Sequence, residues 1–182
     1  MQKNNIKYSY YPKEGNFSSG YFETKKSKFY SYVYSVENQS DVKEILENIK
    51  KEHRGAKHIV YSYILNDNSK YTDDGEPQGT AGKAIYDMLV RENITGTLVI
   101  VVRYFGGTLL GVGPLSRAYT KSFKDAIGKC DKKEYVKYVE EIIECEYDEE
   151  VRTKKDLEIS NVEILETKYL EKVYITVKRK IE

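Results

Sequence analysis

In the stretch KFYSYVYSV, Phe29, Ser31, Val33 and Ser35 alternate with Tyr30, Tyr32, Tyr34 and Val36. A period of two belongs to a half-buried strand, and with residues 19–25 before it the pattern predicts a hairpin over 19–25 and 28–36. The period lengthens after Ser40, the expected N-cap, where Val42, Ile45, Leu46 and Ile49 form the stripe of a helix. His58–Leu65, rich in β-branched and aromatic residues, reads as a third strand. Ala81, Ile85, Met88 and Leu89 mark a second helix. TLVIVVRY, apolar almost throughout, predicts a central strand covered on both faces. Pro114 suits the first turn of a third helix that turns Leu115, Ala118, Tyr119, Ala126 and Ile127 inward. The expected fold is α+β, a two-layer domain with a mostly four-stranded sheet.

Past residue 134 the pattern changes. Strand-like pieces at 138–147, 159–166 and 171–179 flank a helix-like EEVRTKKDL. The chain is expected to divide into a domain of residues 1–134 and a small α+β appendage of residues 135–182 with its own sheet.

Charge supports a break at this place. Lys and Arg outnumber Asp and Glu by 21 to 16 over residues 1–134, a net +5, and are outnumbered 9 to 13 over residues 135–182, a net −4. With 40% hydrophobic and 32% charged residues in a chain of 182, a buried core is expected and disorder is not. Residues 1–9 lack the apolar centre of a signal peptide, and the run Leu98–Val102 is too short to span a bilayer. A cytosolic protein is expected, with Cys130 and Cys145 as free thiols, since their spacing fits neither a metal site nor a CxxC pair.

Two glycine-rich segments carry the candidate chemistry: DDGEPQGTAGKAI from Asp73, and RYFGGTLLGVGPLSRAY from Arg103. The first fails as a P-loop. Ala84 follows Gly82-Lys83 where a hydroxyl must stand, and Pro77 holds the position of the first glycine. The second lacks the third small residue of a dinucleotide fingerprint. Asp73, Asp74 and Glu76 could supply oxygen ligands to a divalent cation, with or without the His58 imidazole, or could accept loop amide hydrogen bonds and pair with nearby bases. No metal and no cofactor is expected. His58 has no Ser or Cys nucleophile at a readable spacing, so no catalytic dyad is assigned. Burial of both central strands should bring the two segments side by side, with the acidic residues close to Arg103 or Arg117.

The segments match, in order and spacing, the signature of the YigZ/IMPACT family, which the chain resembles over roughly residues 15–130, with support from KKSKF at Lys25 and from Ala56 and His58. The matching loop positions are His58, Asp73, Asp74, Glu76, Gly79, Gly82, Gly106, Gly107 and Gly111. Ala84, Pro114 and Val60 depart from the residues common in bacterial members. The resemblance implies a first domain similar to the fourth domain of elongation factor G and a C-terminal one that is ferredoxin-like, the latter here apparently truncated. It also implies a connection with translation, since the eukaryotic relatives act in translational control by binding a regulator of an initiation-factor kinase. A peptidase role attached to some relatives finds no set of metal ligands here.

Polyanion binding can be weighed on the residues themselves. Arg117, Lys121 and Lys124 fall at i, i+4 and i+7 and share one helix face, with Lys129, Lys132 and Lys133 beyond it and Lys83 and Arg103 available through the glycine loops. These positions are the candidate contacts to RNA or the ribosome. The plainer alternatives are a solvated helix face and arginines paired inside the fold. Tyr30, Tyr32 and Tyr34 could stack on bases, or could pack as a half-buried strand. The expected function is a translation-associated RNA- or ribosome-binding module. A protein-interaction regulator without RNA, or a small-molecule hydrolase, are the other readings.

Overall fold

A computed structural model describes residues 7–13, 17–65 and 68–181. The chain divides into two compact units, Met1–Tyr135 and Val136–Glu182.

The first unit is built on a five-stranded antiparallel sheet. Its strands are β2 (Phe17–Thr24), β3 (Ser27–Ser35), β4 (His58–Ile64), β5 (Ser69–Thr72) and β6 (Thr97–Tyr104), in the order β2-β3-β6-β4-β5. The helices are α1 (Gln39–Glu52), α2 (Gly82–Arg91) and α3 (Val112–Ile127). A further pair, β1 (Tyr8–Pro12) and β7 (Cys130–Glu134), forms a two-stranded ribbon. The hairpin β2–β3 turns at Lys25 and Lys26, whose φ values of 45° and 61° give the twist that a two-residue connection requires.

Strand β6 sits at the centre and is buried on both sides, as its continuous apolar run requires. Val99 and Val101 point to the side where Ile85 and Leu89 of α2 and Leu115, Tyr119 and Phe123 of α3 complete one core. Leu98, Ile100 and Val102 point the other way, onto Val42 and Ile49 of α1. The α+β class is therefore as expected, while its layering differs. Helices cover both faces of the sheet where two layers were expected, because alternate residues of β6 are equally apolar.

Two other expectations are corrected. The sheet has five strands instead of four, since Ser69–Thr72 pairs with β4 despite showing no hydrophobic alternation. The N-cap of α1 is Asn38, not Ser40. The Asn38 side chain accepts from the Ser40 and Asp41 amides and the Asp41 carboxylate accepts in return from the Asn38 amide, a capping box begun two residues earlier.

The second unit runs β8 (Lys137–Cys145), α4 (Glu150–Ile159), β9 (Glu163–Tyr169) and β10 (Val173–Ile181). Its sheet has the order β8-β10-β9, all antiparallel, the arrangement of the first four elements of a ferredoxin-like unit. Val173, Ile175 and Val177 of β10 meet Leu157, Val162 and Cys145 in a small core. The strand expected from residue 159 begins only at Glu163, because α4 continues to Ile159 and a turn with Asn161 at φ 52° follows. Cys130 and Cys145 are both buried free thiols. No helix among the described residues is long and apolar enough to cross a membrane.

Candidate functional site

The register of the sheet decides what meets what. Arg103 of β6 lies opposite Phe29 of β3 on one side and opposite His58 of β4 on the other, so the three form one cross-strand row on the face covered by α3. The first glycine segment leaves from the end of β5, whose Thr72 pairs with Tyr61 near the His58 end of β4, and the second follows the end of β6. They meet there.

The first segment opens with a tight turn. The Glu76 amide donates to the Asp73 carbonyl at 2.9 Å, and Asp74 and Gly75 between them have φ of 45° and 79°, the geometry of a type I′ turn. This turn directs Glu76 inward, where its side chain is almost wholly buried. Its Oε1 accepts from the Arg103 guanidinium at 2.5 Å and from the Tyr119 hydroxyl at 2.7 Å. His58 lies alongside, its Nε2 3.7 Å from the same oxygen. The other ring nitrogen of His58, Nδ1, bonds the Asp74 carbonyl at 2.7 Å. A carbonyl only accepts, so Nδ1 carries a proton.

Arg103 is 4% exposed and lies between the rings of Phe29 and Phe105, at 5.4 and 5.5 Å from their centroids. Its Nε is the one buried side-chain polar atom among the described residues without a hydrogen-bond partner. Burial, followed by the charge of Glu76, pushes the Tyr119 phenol well above its ordinary range. The Tyr119 hydroxyl therefore keeps its proton and donates a hydrogen bond to Glu76. The cluster ties a loop, two strands and a helix into one lock.

Asp73 and Asp74 serve the backbone. The Asp73 carboxylate accepts from the amides of Gly79, Ala81 and Lys83 at 2.8, 3.1 and 3.2 Å. It thereby caps α2 from nine residues before the first helical position, which lets Ala81, with no side-chain acceptor, stand at the N-cap. Asp74 accepts from the Ile59 amide at 2.6 Å. Among the described residues no three His, Cys, Asp or Glu side chains converge as a metal site would require.

Two glycines are there for close approach. A Cβ on Gly82 would lie 2.1 Å from the Thr72 carbonyl oxygen, and one on Gly106 would lie 2.1 Å from the Lys26 carbonyl carbon, so any side chain would strike backbone. The second contact docks the loop after β6 onto the β2–β3 turn, where the Ser27 hydroxyl also accepts from the Gly106 amide at 3.1 Å. Gly107 and Gly111 both have positive φ, and Gly111 is the N-cap of α3. The tip of this loop is exposed and apolar, with Leu109 84% and Val112 65% accessible.

The candidate polyanion contacts separate into two groups. Arg117, Lys121 and Lys124 are exposed on the outer face of α3, and none is in an ion pair among the described residues. Lys121 Nζ rests 5.2 Å over the ring of Phe22. Arg103, by contrast, is corrected: it is buried against Glu76, on the face of β6 shared by Val99 and Val101 and covered by α2 and α3. Lys83 is engaged by Asp87 at 2.5 Å, one turn along α2, and that hydrogen bond raises its pKa. Lys129 bonds Asp125 and the Ser19 carbonyl, while Lys132 and Lys133 lie over Tyr8 and Tyr11 on the β1–β7 ribbon.

The tyrosine face is also inside. Tyr34 is buried, and the half-buried Tyr30 and Tyr32 pack on the α1 side of the sheet. His53 joins Tyr32 and Tyr104 through hydrogen bonds of 2.8 and 2.9 Å. These rings are not a free platform for bases. The roles of Ser27 and of the Tyr119 hydroxyl leave no periodic trace in the sequence, although a buried tyrosine usually finds a partner for its O–H.

Residues 25–127 match the Impact N-terminal domain family. The chain is 38% identical to the IMPACT family member YvyE of Bacillus subtilis over 105 residues, 56% of this chain and 48% of that protein. The match thus spans about half the length of that relative. An IMPACT family member of Haemophilus influenzae is 32% identical over 79% of this chain and 72% of its own, and YigZ of Escherichia coli is 32% identical over 69% and 64%. A crystal structure of a hypothetical protein superposes with a TM-score of 0.70 at 27% identity, over 95% of this chain and 85% of that one.

Proposed function

The chain belongs to the IMPACT family, and on that premise we propose that it is a translation-associated module whose first unit binds RNA, ribosomal RNA above all, through the outer face of α3. The observation that carries this reading is the unpaired, exposed alignment of Arg117, Lys121 and Lys124 along that helix. Three cations at helical spacing can follow a phosphate backbone without restructuring the protein, and contacts to phosphate carry no sequence information. Binding should therefore be insensitive to sequence. The connection with translation comes from the family resemblance.

Fluorescence titration of the full chain with a short single-stranded RNA at several salt concentrations tests the reading, and co-sedimentation with polysomes before and after a salt wash tests its setting. A protein that binds no RNA even at low salt sinks it. A second reading, a protein-interaction regulator of translational control, is favoured by the exposed Leu109 and Val112 at the loop tip beside the same helix. An apolar contact of that kind would survive the salt wash.

A further inference from the structure

The opposite side of the sheet carries a groove of about 640 Å³ between α1 and the strands β1 to β3. Its walls are aromatic, with Phe17 partly exposed and packed at 5.3 Å from Tyr34, and its floor is Ile45 and Ile49 of α1. Along one rim α1 presents Asp41, Glu44 and Glu52, and among the described residues no Lys or Arg lines the groove. Asp41 is occupied by the capping box. Glu44 and Glu52 are exposed and have no partner among the described residues.

Tyr34 supplies a separate observation. The residue is nine-tenths buried and lines the groove, and its hydroxyl, which reaches the groove's solvent, makes no hydrogen bond among the described residues. Burial first, and then the negative charge of Glu52, pushes this phenol up to about 12. The groove therefore holds a proton donor that stays protonated, next to rings that attract cations and carboxylates with nothing to neutralise them.

We propose that this groove is a docking site for an extended protein segment that bears two basic side chains flanking an apolar one. The charge selects the basic residues. The spacing follows from the helix: Glu44 and Glu52 are eight residues apart, about 12 Å along α1 at 1.5 Å per residue. An extended peptide rises about 3.3 Å per residue, so positions i and i+4 are about 13 Å apart and lie on the same side. The residue between them at i+2 points the same way, toward Phe17 and Tyr34. A polyanion is repelled here, so this surface is distinct from the α3 face.

The probe is the fluorescein-labelled pentapeptide Arg-Ser-Leu-Ser-Arg, titrated into the full chain and followed by amide chemical shifts and anisotropy. Shifts are expected at α1, Phe17 and Tyr34, and the double substitution Glu44→Gln and Glu52→Gln should weaken binding roughly tenfold, as two exposed ion pairs would. Both positions are exposed, so the variant should fold. The chain with Arg117, Lys121 and Lys124 changed to Ala should bind the peptide unchanged, which separates this site from the RNA reading. Equal binding of the citrulline analogue, equal binding of the reordered Arg-Arg-Leu-Ser-Ser, or an affinity that the Gln substitutions leave alone would each overturn the proposal.

Discussion

Arg103 and Glu76 are 27 positions apart in sequence and form an ion pair of 2.5 Å, with each side chain 5% exposed or less. The pair joins the first glycine segment to the start of the second. Tyr119 of α3 closes the same oxygen of Glu76 from a third direction.

Removal of one partner from this pair should be severe. Glu76→Ala leaves a guanidinium buried without its carboxylate, and breaking a buried pair in this way costs about 3–5 kcal/mol. Tyr119→Phe removes one hydrogen bond to a charged acceptor and should cost about 1.5–3 kcal/mol. Urea denaturation of the three proteins measures both, and a Glu76→Ala variant of wild-type stability would show the pair to be dispensable.

Two glycines in one loop should respond unequally to Ala. At Gly106 the new Cβ meets the Lys26 backbone at 2.1 Å, so loss should exceed the roughly 1–3 kcal/mol typical of overpacking, or the loop should detach from the β2–β3 turn. At Gly107 the space is open and only the positive φ opposes a side chain, a cost of about 1–2 kcal/mol. Thermal melts of both variants should rank them in that order.

Alkaline pH should destabilise the protein through its tyrosines. Tyr34 is held up to about 12, against 10.0 ordinarily, and Tyr119 is raised as well. A group whose pKa is higher folded than unfolded favours the folded state fully below the unfolded value. Its contribution is lost as pH rises from about 10 through the folded value. Stability should therefore fall between pH 10 and 12, and less steeply in Tyr34→Phe. Denaturation at half-unit pH steps would show the difference in slope.

The outer face of α3 has a quantitative signature. If Arg117, Lys121 and Lys124 each neutralise one phosphate, their joint change to Ala should reduce the slope of log K against log salt by about 2 to 3, at roughly 0.7–0.9 per contact. Affinity should drop alike for all RNA sequences. An unchanged slope would move RNA binding, if present, to another surface.

Much of this was legible where burial leaves a periodic trace. The unbroken run of β6 announced the centre of the sheet, and the spacing of Leu115, Ala118 and Tyr119 announced the inner face of α3. The edge strand Ser69–Thr72 left no such trace, because its exposed side chains are under no demand to alternate. The ribbon of β1 and β7 joins segments over a hundred residues apart, which local patterns cannot report. In the site, the run of β6, apolar on both faces, already places Arg103 inside whichever face it takes. Nothing local distinguishes the buried Glu76 from its neighbours Asp73 and Asp74, since a turn with two positive φ values decides which carboxylate faces inward.

The sheet order β2-β3-β6-β4-β5 also governs how the polypeptide can be made. Strand β6 lies between β3 and β4, so both earlier strands keep a naked hydrogen-bonding edge until it arrives. Its last residue, Tyr104, is synthesised about forty residues after Ile64, the end of β4. At about 5–20 residues per second, that leaves roughly 2–8 seconds in which the nascent chain carries two open edges and an uncovered apolar surface. Assembly of the sheet is then a single late insertion, and the two glycine segments come together only when it is complete.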